Sequence, residues 1–151
     1  MKLRTFIISL ALIASASCTD FPKDPRGTID RVRGEGSFRV GLVSSAGGRD
    51  PEQLAQRLVA RIGKALQASP QLVRGETEVL LTGLEEGHLD VVIGRFEKKS
   101  PWSARVTFGP PLRTDTQGKS ELLLRPAMRN GENGWITLIE RNARDLAPDE
   151  Q

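Results

Sequence analysis

Thr77 to Gly94 reads T-E-V-L-L-T-G-L-E-E-G-H-L-D-V-V-I-G, and the fold class follows from it. Leu80, Leu81 and Leu84 recur at helical spacing, and Thr77 stands where a capping hydroxyl starts a helix. Gly87 fits the left-handed residue that ends a helix, with Leu89 just beyond to close against it. Asp90-Val91-Val92-Ile93-Gly94 is too short for a helix and has no polar alternation. Such a run fits a parallel strand covered on both faces. A helix feeding directly into a buried strand is half of a crossover unit.

The segments before it supply the other half. Ser37 to Val43 alternates and then hardens into an apolar run, a first strand. Asp50-Pro51 gives a capping acid followed by proline in the first helical position. Leu54, Leu58, Ile62, Ala65 and Leu66 form the buried stripe of a helix to about Gln67, and Pro70 prevents its continuation. Gln71 to Arg74 is a short second strand. Strand, helix, strand, helix, strand is the rhythm of a parallel sheet with right-handed crossovers. A brief helix over Ile29 to Arg33, capped by Thr28, precedes it.

After Gly94 the rhythm changes. Arg105 to Phe108 is a short strand closed by Gly109-Pro110-Pro111. Leu112 to Lys119 is a polar connector, and Glu121 to Leu124 a further strand. Beyond the Asn130-Gly131 turn, a last helix starts near Glu132 or Asn133 and buries Trp135, Leu138, Ile139 and Leu146. The expectation is an α/β fold: one three-layer domain, a mostly parallel five-stranded sheet with helices on both faces.

The chain has 151 residues, enough for one core. Residues 1–17 read as a signal peptide: Lys2 and Arg4, an apolar run from Phe6 to Ala14, then Ser15-Ala16-Ser17. Cys18 follows, the only cysteine, at the place where a bacterial lipoprotein signal puts its lipid-bearing residue. Residues 18–27 form a tether, 28–147 the folded body and 148–151 a tail. Removing Lys2 and Arg4 lowers the formal charge from +3 to +1, 20 basic against 19 acidic residues. That balance, without a basic run interleaved with aromatics, argues against a nucleic-acid partner.

Enzyme signals are thin. His88 is the only histidine and sits in a helix-ending turn. One histidine and one lipid-bearing cysteine cannot make a histidine or thiolate metal cluster. Glu85 and Glu86 are neighbours on a helix and point apart. There is no phosphate-loop pattern and no Gly-x-Ser-x-Gly elbow. The expectation is a protein that is not an enzyme and uses no cofactor.

Four segments in order resemble the family 3 extracellular solute-binding proteins, receptors of polar-amino-acid uptake. They are T-I-D-R-V-R-G-E-G-S-F-R-V-G-L-V (28–43), L-L-T-G-L-E-E-G-H-L-D-V-V-I-G (80–94), S-P-W-S-A-R-V-T-F-G-P-P-L (100–112) and E-L-L-L-R-P-A-M-R-N-G-E-N-G-W-I-T-L-I-E-R (121–141). Family members have two lobes. Here only Leu112 to Lys119 stands where a second lobe would leave and return, so the resemblance implies the first lobe alone. The resemblance of the signal and Cys18 to a bacterial lipoprotein signal implies a lipid-anchored protein on the periplasmic side of a bacterial membrane, inner or outer. Its partners would be a polar amino acid or similar solute, an ABC permease or a sensor protein, and a second copy by self-association. Two alternatives stand beside this: an interaction lipoprotein without a solute, and a non-catalytic accessory of a cell-wall enzyme.

In an open parallel sheet, ligands meet the C-terminal ends of the strands. The candidate ligand-binding residues are therefore Ser44, Ser45, Arg74, Glu76, Thr77, Gly94, Arg95 and Phe96, with Trp102 and Arg105 from the next segment. Two of these loops lead into helix N-termini, whose free N–H groups favour a carboxylate. The family's Ser/Thr groups and arginine after the buried strand are replaced by Glu97, Lys98 and Lys99. Leu112 stands near its tyrosine, a residue this chain lacks entirely.

Overall fold

The computed structural model describes residues 24–44, 49–117 and 120–147. Four α-helices and six strands occur among them: α1 Thr28–Glu35, β1 Ser37–Val43, α2 Arg49–Leu66, β2 Ser69–Gly75, α3 Thr77–Glu86, β3 Val91–Glu97, β4 Val106–Phe108, β5 Arg113–Gln117, β6 Ser120–Arg129 and α4 Asn133–Arg144. Residues 1–17, read as a signal peptide, together with Cys18, Ser45 and residues 148–151, lie outside the described residues.

The sheet order is β2-β1-β3-β6-β4, with β5 also paired to β6. β1 is parallel to both β2 and β3, so the crossover units read from the sequence are present. β6 runs antiparallel to β3, β4 and β5. The three-layer α/β class holds, with six strands in place of the expected five. The added strand, β5, lies in the stretch read as a polar connector. Its sequence, R-T-D-T-Q, has no apolar alternation to announce it, and the β6 backbone holds it in register from Arg113 opposite Leu124 to Gln117 opposite Ser120.

β4 and β5 lie along one edge of β6, interrupted at 109–112. Gly109 N–H donates to Pro126 O (2.8 Å) and Leu112 N–H to Leu124 O (2.7 Å), so the interruption stays stitched to β6. Pro126 sits in mid-sheet because a strand residue's N and C=O face the same neighbour. Its missing N–H therefore faces this break.

Alternation along the strands divides the core. Phe38, Val40, Leu42, Val91, Ile93, Leu124 and Met128 point to one face and pack under α1, α2 and α4. Val92, Phe96 and Ala127 point to the other, under α3 and Trp102. Leu80, Leu81 and Leu84 of α3 are buried, each contributing about 1.5–3 kcal/mol before chain entropy is counted.

The helix ends differ in detail from the expectations. Thr77 is the first residue of α3, with Glu76 at the cap and no side-chain capping bond. Thr28 lies inside α1, and its hydroxyl instead donates to buried Glu132 (2.5 Å). Gly87 is left-handed (φ 85°), and His88 N–H closes the helix end onto Gly83 O at 2.7 Å. Opposite the strands' C-terminal ends, Asp24 accepts from Trp135 N–H (2.9 Å), and Trp135 Nε1 donates to Asp90 O (2.8 Å). The chain entering from the N-terminal side is thereby fixed at the pole where the strands begin.

Candidate functional site

The C-terminal ends of β1, β2 and β3 open beside the first turn of α2. A cavity of about 60 Å³ lies there, walled by Val43, Gly94, Leu124, Pro51, Glu52 and Arg74. Each wall has a sequence reason. Gly94 has no side chain because a Cβ would stand 2.7 Å from Val43 Cβ. Pro51 occupies the first turn of α2, where no intrahelical N–H bond is lost. The unpaired N–H groups of that turn give the edge a partial positive charge.

Arg74 Nη2 and Glu52 Oε1 face each other across the lip at 2.5 Å. Both side chains are exposed, so the pair is exchangeable for a ligand's own charges. Ser44 lies just past β1, and its N–H donates to Gly75 O (3.0 Å), tying the two strand ends together. Above the cavity, register places Arg95, Leu124 and Arg113 side by side on the same sheet face. Asp115 bridges the two arginines, 3.1 Å from Arg95 Nη2 and 2.9 Å from Arg113 Nε.

The sequence candidates thus divide. Ser44, Arg74, Gly94 and Arg95 gather around this edge, and Glu76 and Thr77 begin α3 just beyond the end of β2. Phe96, Trp102 and Arg105 do not share it. Phe96 packs in the opposite layer with its ring 4.9 Å from Phe108. Trp102 is buried there, Nε1 donating to Glu78 Oε1 at 3.1 Å. Arg105 lies over the Trp102 ring at 4.4 Å and pairs with Glu85. Nothing in the sequence singles out Glu52, Arg113 or Asp115. Glu52 is one charge among many on an amphipathic helix, and only the position of Arg74 marks it.

Among the described residues, no group of three or more His, Cys, Asp or Glu side chains could hold a metal ion. No described helix is long and apolar enough to cross a membrane. His88 is exposed at the α3 end, 3.4 Å from Glu86.

No protein-family model matches the chain, and no curated protein matches it by sequence. Solved structures do match in fold. The arginine-bound form of domain 1 from TmArgBP, the T. maritima arginine-binding protein, aligns with TM-score 0.65 at 19% identity, covering 78% of this chain and 98% of that one. The ancestral cationic amino acid solute-binding protein AncCDT-1 aligns with TM-score 0.64 at 12% identity, covering 79% and 93%. The VFT2 domain of Bordetella pertussis BvgS aligns with TM-score 0.63 at 9% identity, covering 86% and 96%. The chain therefore has the fold of a single lobe of a type II periplasmic binding protein.

Proposed function

We propose that this chain is an exported, lipid-anchored, one-lobe solute-binding module that meets a small polar amino acid at the C-terminal edge of β1, β2 and β3. The observation that supports the solute-binding part of this reading is the fold match to an isolated first domain in an arginine-bound form, over 78% of this chain and 98% of that domain. The edge has the complementary chemistry. A zwitterion can exchange partners with the Arg74–Glu52 pair, carboxylate to Arg74 and ammonium to Glu52, while the first turn of α2 favours the carboxylate.

The small cavity sets the strength. A ligand seated at its mouth keeps much of its surface in water. Losing about 4 kcal/mol of contacts relative to a closed two-lobed site weakens binding about a thousandfold. Weak capture suits a sensor or a docking module on a permease better than scavenging at low concentration. A second reading, an interaction lipoprotein without a solute, is favoured by one observation: Arg74 and Glu52 already satisfy each other.

Thermal unfolding with a panel of amino acids separates the two. Ligand at ten times its Kd adds about 1.4 kcal/mol, a rise of roughly 3–5 °C for a domain of this size. One amino acid giving that dose-dependent rise, with loss of the response in Arg74→Ala, supports the solute reading. Silence across the panel favours the scaffold.

A further inference from the structure

β2 is an edge strand, and its exposed side carries a self-complementary pattern. Ser69 N–H donates to Gly36 O (2.8 Å) and Gly75 O accepts from Ser44 N–H (3.0 Å), so odd-numbered β2 residues bond inward to β1. Pro70, Leu72 and Arg74 consequently turn their backbone groups outward. Pro70 has no N–H, which leaves Leu72 and Arg74 as the two outward donors.

Side chains add a second observation. Leu72 (53% exposed), Val73 (48%) and Val79 (69%) are the exposed large hydrophobics among the described residues, and all three lie on β2 and adjacent α3. Val73 and Val79 line a groove between the strand and the helix. An edge carrying both free backbone groups and apolar side chains is a template for another strand.

We infer that this edge pairs with a second copy of the chain, β2 antiparallel to β2, about a two-fold axis through Val73. In that register Leu72 lies opposite the partner's Arg74 and each exchanges both backbone hydrogen bonds with the other. Four bonds form and both outward donors of each copy are used. Sliding the axis to Leu72 would set Pro70 opposite Arg74 and leave the Arg74 carbonyl without a donor, so proline selects the register.

At the axis, Val73 meets Val73 as a directly opposed pair, with Val79 on the wall beside it. On the other face Arg74 brings its own counter-charge, Glu52 at 2.5 Å. That local pairing offsets the repulsion between the two Arg74 side chains. A contact of four backbone bonds and the side chains of one strand edge makes a weak, concentration-dependent dimer.

Cysteine cross-linking in the full chain tests the register. Opposed residues of a non-hydrogen-bonded antiparallel pair have Cα atoms about 4.5 Å apart, within disulfide reach. Val73→Cys, mildly oxidised in cell fractions, should give a covalent dimer. Gln71→Cys lies opposite the partner's Gly75, four residues or about 13 Å from its own copy, and should cross-link at least about tenfold less. The unmodified chain, carrying Cys18 alone, is the control. Equal cross-linking at 71 and 73, no cross-link at 73, or a Val73→Cys product of another mass would each overturn the pairing, the last by naming a different strand as occupant. Val73→Glu, at a half-exposed site the fold does not need, should shift sedimentation of the concentrated chain to monomer. An unchanged dimer would also overturn the pairing.

Discussion

Arg39 binds Asp90 with three hydrogen bonds: its backbone N–H at 2.8 Å, Nη2 at 2.7 Å and Nε at 3.2 Å. Arg31 Nη2 adds a fourth at 2.5 Å, and the Asp90 side chain is wholly buried. The aspartate that ends the α3 turn therefore joins the starts of β1 and β3 to α1. Removing one partner of a buried ion pair is costly because the other charge stays behind. Arg31 and Arg39 retain some solvent, which moderates the cost. Asp90→Ala should destabilise by about 2–3 kcal/mol, a fall in Tm of roughly 5–10 °C. Calorimetry checks this; a fall under 2 °C would mean that the network is ornamental.

Acid should weaken the fold through two buried carboxylates. Burial pushes Asp90 up, but the hydrogen bonds from Arg39 and then Arg31 outweigh it and hold the group below its ordinary value. Burial likewise raises Glu132, and the Thr28 hydroxyl with the Arg26 and Thr28 N–H groups brings it below. A depressed carboxyl stabilises the fold fully above its unfolded pKa, about 4, and loses that contribution as pH falls through the folded value. Tm should be nearly flat from neutral pH to about 5 and fall below about 4. Asp90→Asn should flatten part of that fall. Parallel acid profiles for the two chains would remove Asp90 as a cause.

Gly94 is a packing requirement with a defined neighbour. An added Cβ would collide first with Val43 Cγ2, which alanine lacks, and would stand 2.7 Å from Val43 Cβ. Gly94→Ala should cost about 1–3 kcal/mol by overpacking, and Val43→Ala in the same chain should recover part of it. A double mutant less stable than the sum of the two single changes would show that the contact is not between these residues.

Cys18 carries the anchoring proposal. Cys18→Ser should move the chain from the membrane fraction to the soluble fraction without changing the melting of the folded body. A variant that stays on the membrane would replace the lipid anchor with another attachment.

Much of this fold is legible where side chains alternate or recur. The α2 stripe from Leu54 to Leu66 and the buried β3 run gave elements within one to three residues of those observed. β5 was not legible, because neither Thr114 nor Thr116 is apolar and the strand exists through pairing with β6. The site was half legible. Arg74 and Gly94 follow from strand ends alone, but Trp102 and Arg105 looked equally available in the sequence. Only the direction in which Phe96 points, away from Ile93 and Leu124, puts them in the opposite layer. Glu52 needed the third dimension to become a partner of Arg74.

The most direct test of the solute edge is amide chemical-shift mapping by two-dimensional NMR during titration with the amino-acid panel. For at least one amino acid, saturable shifts should cluster at Val43, Ser44, Gly75 and Gly94 and vanish in Arg74→Ala. No saturable shift with any member of the panel, or shifts centred on Phe96 and Trp102 in the opposite layer, would contradict it.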